Sequence, residues 1–327
     1  MTVSRPALLA ILIPAAFAII VWSLSTGTID IPLRDVLTAL TGTDSTHAMV
    51  IREIRAPRTL GGFLAGAMLA LAGAMLQVLL RNPLADPYVL GISGGASVAA
   101  LAVMLTGAGF VGISFAATTG AALATALVFA LAYGRGVWSS TRLLLTGVVL
   151  ASGWGALISF LLSISEEHQV FGMLFWLMGD LGNARPGWAS IAVLIVVAIV
   201  AMLNARDMNL VATGELRARS LGVNVQKLRI TLFLATSILT AAAVTLAGTI
   251  GFVGLVVPHM IRLIGGTDHR SLLPASLLAG GSLVVAADTL ARTLLAPREL
   301  PVGVVTAFIG VPLFLVLLRK TLSRSLP

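Results

Sequence analysis

Apolar residues fall in blocks along this chain, and most blocks have the length of a membrane crossing. A bilayer core needs about 20 mostly apolar residues per helix. That ruler places ten spans, near 7–24, 60–80, 89–107, 111–132, 142–162, 188–204, 229–249, 251–264, 272–295 and 303–318. The block at 251–264 is short, and Pro258 breaks its pattern. One long stretch interrupts the series. Asn204 to Arg229 carries Arg206, Asp207, Glu215, Arg217, Arg219, Lys227 and Arg229 without a continuous apolar run, so it lies in water beside the membrane. Within it, Thr213 is placed to N-cap a short helix through Leu216, Ala218 and Leu221, Gly222 to stop it, and Asn224 to cap the next span. Two shorter patterns stand on the opposite side. Ile29 to Leu40 has the spacing of an interfacial amphipathic helix. Phe171 to Met178 is apolar but too short to cross, and reads as a half-inserted helix between Glu166–Glu167–His168 and Asn183–Arg185.

Composition agrees with the pattern: 58% hydrophobic, 10% charged, mean hydropathy +1.02. This is the balance of an all-α polytopic membrane protein, read here as one transmembrane domain over 1–327 with its wet helices at about 205–228. The net charge of +8 reflects basic residues flanking the spans and gives no reason to expect nucleic acid. With the N-terminus in the cytoplasm, 14 of the 21 Lys and Arg fall inside and 7 outside, the expected sign. Both termini and the charged stretch are then cytoplasmic. The first span, Ala7 to Leu24, is longer than a signal-peptide core and is expected to be retained. No cysteine is present, which excludes disulfides and thiolate chemistry.

Candidate chemistry is sparse. His47, His168, His259 and His269 lack paired-ligand spacing, so no metal site is expected. His168 has Met173 and Met178 nearby, and contact with a haem-like cargo stands there beside plain solvation. His259 and Arg262 read as structural contacts, as does Gln77, an amide joining two helices. Serines and threonines in the spans have no His–Asp partners and read as helix-to-helix hydrogen bonds. There is no G-K-[ST], so the chain does not hydrolyse ATP by itself. Glycines and alanines four residues apart, among them Gly147–Ala151–Gly155, are packing devices. Asp288 is the one acid well inside a span and needs a partner or water; an ion-coupled secondary transporter would use it. Three constellations are more specific. Arg52, Arg55 and Arg58 (REIRAPR) sit just outside the second span, on the outer face and against the orientation rule, and suit an acidic partner. Arg81 to Ser97 (RNPLADPYVLGISGGAS) forces irregular backbone at the inner mouth, where a cavity must be lined. Gly248 to His259 (GTIGFVGLVVPH) breaks the helical pattern again.

Together with LRARSLGV, GFVGLVVPHMIRLIGGTDHR, ADTLAR and ELPVGV, these motifs resemble the permease family of type II ABC importers, which carry iron-siderophore chelates, haem and cobalamin. The resemblance covers nearly the whole chain. It implies ten helices per subunit, a homodimer with the path at its two-fold interface, two cytosolic ATPase subunits and a periplasmic substrate-binding protein, in the bacterial inner membrane. It implies no cofactor on this chain, with ATP and magnesium held by the partner ATPase. Carried over by residue, it assigns ATPase coupling to Glu215, Arg217, Ala218, Leu221 and Gly222. It assigns binding-protein docking to Arg55, Arg58 and Arg292, and cytoplasmic gates to Asn82 and Leu84 and to Ser140 and Thr141. Iron chelates, haem included, are the expected cargo, with cobalamin the alternative.

Overall fold

The computed structural model describes residues 5–41, 47–133 and 139–325. Among these the regular structure is helical throughout. The chain begins with α1 (Arg5–Ser25) and the short amphipathic α2 (Leu33–Leu40). A π-helical turn, Val50–Arg55, then runs without a break into α3 (Ala56–Leu79). The three arginines of REIRAPR are therefore turns of the membrane helix itself and not a loop outside it.

α3 is the centre of the molecule: 94% of its apolar window is buried by protein. It is surrounded by α11 (Val225–Ala247), α12 (Val253–Gly265) and α13 (His269–Thr293). Contact is backbone to backbone. A Cβ on Gly73 would lie 1.9 Å from the carbonyl oxygen of Gly254 in α12, and one on Gly66 would lie 2.2 Å from that of Gly280 in α13. In lipid, where apolar side chains gain little by leaving the solvent, such close approach is what holds helices together.

Among the described residues six helices are long and apolar enough to cross a membrane. They are α1, the continuous Val50–Leu79 helix, α5 (Phe110–Ala132), α6 (Ser140–Ile164), α11 and α13. α8 (Trp188–Leu203) meets the same measure only together with α9 (Ala205–Ala212), from which it is bent by 55°. The other three expected spans are also helices, two of which begin later than expected: α4 (Ile92–Met104) and α12; α14 (Val302–Ser325) runs past its expected end at 318. The cause is local. A 3-10 turn at Pro87–Leu90 and left-handed Gly91 (φ +74°) delay α4, and left-handed Phe252 (φ +68°) delays α12.

Pro258 does not break α12. Proline has no N–H for the carbonyl four residues back, here that of Gly254. Gln77 Nε2 donates to that carbonyl at 3.4 Å and to the next, Leu255, at 3.2 Å. Arg262 Nη1 in turn donates to Gln77 Oε1 at 2.8 Å. The buried amide of α3 thus occupies an acceptor the proline leaves open. The short outer helix expected around Phe171 is α7 (Glu167–Leu177), and α10 (Glu215–Ser220) completes the set.

Candidate functional site

The charged stretch folds as two small helices laid against the membrane domain. α9 buries Ala205, Met208 and Val211, the stripe expected of a half-exposed helix. Thr213 Oγ1 donates back to Leu210 O at 2.8 Å, so Thr213 finishes α9 and does not cap α10. The corner belongs to Gly214 at φ +134°, a conformation only glycine adopts readily. α10 ends as expected. Val223 N donates to Ala218 O and Gly222 N to Arg219 O, both at 3.0 Å, with Gly222 at φ +85°; this pair of bonds closes a helix on a left-handed glycine. Asn224 Oδ1 then accepts from Lys227 N at 3.0 Å and opens α11.

Glu215 is the hub of this unit. Its carboxylate accepts from Arg81 in the loop after α3, from Arg219 at 2.6 Å and from Arg229 in α11 at 2.9 Å. Burial pushes its pKa up, but the Arg219 hydrogen bond and the charges of Arg229, Arg81 and Arg219 outweigh that and hold it below the usual Glu range. Arg81 makes its contact from a left-handed backbone, φ +49°, which costs about 1–2 kcal/mol for a residue with a side chain. Ala218 is wholly buried and seats α10. What α10 offers outward is Leu216, 84% exposed, Leu221, 55% exposed, and the exposed Arg217.

The loop between α3 and α4 is ordered by its own side chains. Asn82 Oδ1 accepts from Leu84 N at 2.9 Å, and Asp86 Oδ1 accepts from Tyr88 N at 2.8 Å. Burial, opposed by that backbone bond, pushes the Asp86 carboxyl up to about 6. Tyr88 Oη accepts from Ile250 N at 2.8 Å, pinning the loop to the approach to α12. Ser139 caps α6 by accepting from Arg142 N. Thr141 is exposed in the first turn, and the side chain of Ser140 lies outside the described residues.

At the other end of α3 the arginines turn inward. Arg58 grips Asp288 of α13 with Nε at 3.0 Å and Nη2 at 2.9 Å, and Glu299 with Nη1 at 2.9 Å. Arg55, 5% exposed, donates to the carbonyls of Leu24 and Ile29. Arg292, 9% exposed, donates to Ser23 O and Oγ and approaches Asp288 at 3.8 Å. Arg52 Nε reaches Ala39 O in α2 at 2.7 Å. Five N–H donors in a planar fork suit this work of stitching α1 and α2 to α3 and α13. Arg58 carries this network to the exposed carboxylate of Glu299.

A model of the FecCD transport family matches residues 15–320. The chain belongs to that family. It is 43% identical over 290 residues to a cobalamin import system permease protein BtuC of Halobacterium salinarum, covering 87% of this chain and 77% of that one. It is 42% identical over 282 residues to a vitamin B12 import system permease protein BtuC of Klebsiella pneumoniae, covering 85% of this chain and 84% of that one. A solved metal-chelate type ABC transporter in an inward-facing conformation superposes with a TM-score of 0.83 at 31% identity, covering 97% of this chain and all of that one.

As a FecCD permease, the chain is a membrane component of an ABC importer. Asp288, the coupling acid of the ion-driven alternative, is here one half of a bidentate ion pair. Among the described residues no group of three or more His, Asp and Glu is placed to hold a metal. His168 is exposed beside Glu166, while Met173 is buried. Of the residues assigned to ATPase coupling, Glu215, Ala218 and Gly222 build the helix and its anchorage. Leu216, outside that assignment, is the most exposed apolar side chain of α10, and its signal in the sequence is a large apolar residue in the most polar stretch.

Proposed function

We propose that this FecCD chain forms a homodimer in the inner membrane, both termini cytoplasmic. It passes a large metal chelate from a periplasmic binding protein to the cytoplasm. Two cytosolic ATPase subunits, which hold ATP and magnesium, drive it. The observation that carries this reading is the outward display of Leu216 and Leu221 on a helix otherwise anchored by charge. Fully burying one leucine is worth about 1.5–3 kcal/mol, so these two side chains supply most of a docking anchor and Arg217 its polar rim. Motion of α10 would pass through Glu215 to Arg81 and α11, and from there to the gates at Asn82 and Leu84 and at Ser140 and Thr141. On the outer face, Arg58 with Glu299 is the place for an acidic group of the binding protein to compete. Arg55 and Arg292 hold the surrounding turns.

The dimer is supported by α6. Only 6% of its apolar window is buried, and a Cβ on Gly153 or Gly155 would meet nothing within 4 Å. The names of the relatives favour a corrinoid cargo, and iron chelates, haem included, stand second. Proteoliposomes containing the permease, its ATPase and its binding protein test the reading. Stimulation of ATPase activity by loaded binding protein should vanish in L216E/L221E; unaltered stimulation would sink the coupling role. Uptake of cobalamin, ferric siderophore and haem by the same vesicles decides the cargo.

A further inference from the structure

A groove of about 920 Å³ runs between α5, α8 and α11. It is lined along α5 from Phe110 to Phe129, roughly 28 Å at 1.5 Å per residue, and so follows most of the bilayer's apolar thickness. Small residues open it, Ala122 and Ala126 on one wall and Ala241 and Ala242 on the other.

The hydroxyls in the lining are largely spent. Thr118 donates to Ser114 O, Thr125 to Ala121 O and Ser237 to Phe233 O, all at 2.8 Å. Such back-bonded groups make no demand for a polar ligand. A metal chelate rich in amides and carboxylates would find too few partners here. One end differs. Exposed Arg185 lines it and donates at 3.0 Å to Glu53 O, with no acid paired to it among the described residues. Trp188, 86% exposed, stands beside it, as aromatic residues do at headgroup level. Ser114, one turn in from Phe110, also lines the groove, and its hydroxyl has no hydrogen-bond partner.

We propose that this groove holds a glycerophospholipid, its phosphate on Arg185 and one acyl chain along α5 and α11. The cation at the mouth selects the occupant. A hydrophobic helix of another protein would gain nothing from a guanidinium there, whereas a phosphate pairs with it through two parallel hydrogen bonds.

Native mass spectrometry of the full chain, purified in mild detergent with added phosphatidylglycerol, tests this. The wild type should keep one phospholipid under activation that strips the surrounding lipid. R185E should lower that retention by roughly tenfold, since it replaces attraction to the phosphate with repulsion. A241F, which fills the groove, should abolish it without lowering the thermal midpoint; A122F on the opposite wall repeats the test should A241F fail to fold. The proposal falls if the wild type keeps no lipid, if both classes of variant keep it as well as the wild type does, or if the retained mass is not a phospholipid.

Discussion

The Val50–Leu79 helix and α6 are nearly equal in apolar character, with windows of mean hydropathy 1.9 in each, yet one is 94% buried and the other 6%. Hydropathy measures fitness for the membrane and is blind to whether the neighbour is lipid or protein. The difference lies in the small residues. In α3, Gly66 and Gly73 each meet another backbone. In α6, Gly147 packs on the carbonyl of Val89, but Gly153 and Gly155 face open space. The small residues of α6 are thus only half used within this chain.

The sharpest way to break the comparison is one substitution made in both helices. G73L drives a side chain into the backbone of α12 and should abolish the monodisperse protein peak in size-exclusion chromatography, a loss of roughly 3 kcal/mol or more. G155L should leave the fold intact and lower the dimer fraction; unchanged dimerisation would remove α6 from the interface.

Next in size is the charged end of α3. R58A leaves buried Asp288 with only Arg292, at 3.8 Å, and breaking such a buried pair costs about 3–5 kcal/mol. Adding D288N should recover much of the lost thermal midpoint, as a double-mutant cycle would show. S159A in α6, whose hydroxyl only turns back on Gly155 O, should stay within about 0.5 kcal/mol.

A smaller effect is expected at the 3-10 turn, which packs on Gly147 of α6 and on Gly254 of α12, the glycine that Gly73 of α3 meets. Asp86 has its carboxyl raised to about 6 in the folded chain against an ordinary 3.8. Its contribution is therefore fully present below the ordinary value and is lost as pH rises through 6, at about 1–3 kcal/mol. The thermal midpoint should climb as pH falls from 7.5 toward 5, and D86N should flatten that slope. The smallest stability change belongs to L216A, within about 0.5 kcal/mol for an exposed side chain, and the same variant should weaken ATPase binding measurably.

Much of this architecture was legible because lipid imposes a length on every apolar block and expels charge from it. The ten blocks, the wet stretch, the α2 and α7 segments, the cap at Asn224 and the stop at Gly222 all follow from that and from local backbone chemistry. What a single sequence hides is pairing across distance. Arg58 and Asp288 are 230 positions apart, so nothing local announces that the arginines turn inward. Thr213 misled because the cap position falls one residue later, on Gly214 with its φ of +134°, and the threonine hydroxyl is already spent on Leu210 O. Pro258 misled because the group that accommodates it, Gln77, comes from another helix.

The burial of α3 also constrains how the protein is made. The ribosome completes α3 well before the last of its wrapping helices, α13; at 5–20 residues per second the interval is roughly 10–40 s. Until then a helix destined for the core must wait in the translocon or in lipid, its glycine faces uncovered and Arg58 without Asp288. Its hydropathy lets the apolar length wait there. The arginine can wait only where it reaches water or headgroups, and its place in the first turn of α3, not in the middle, gives it that reach.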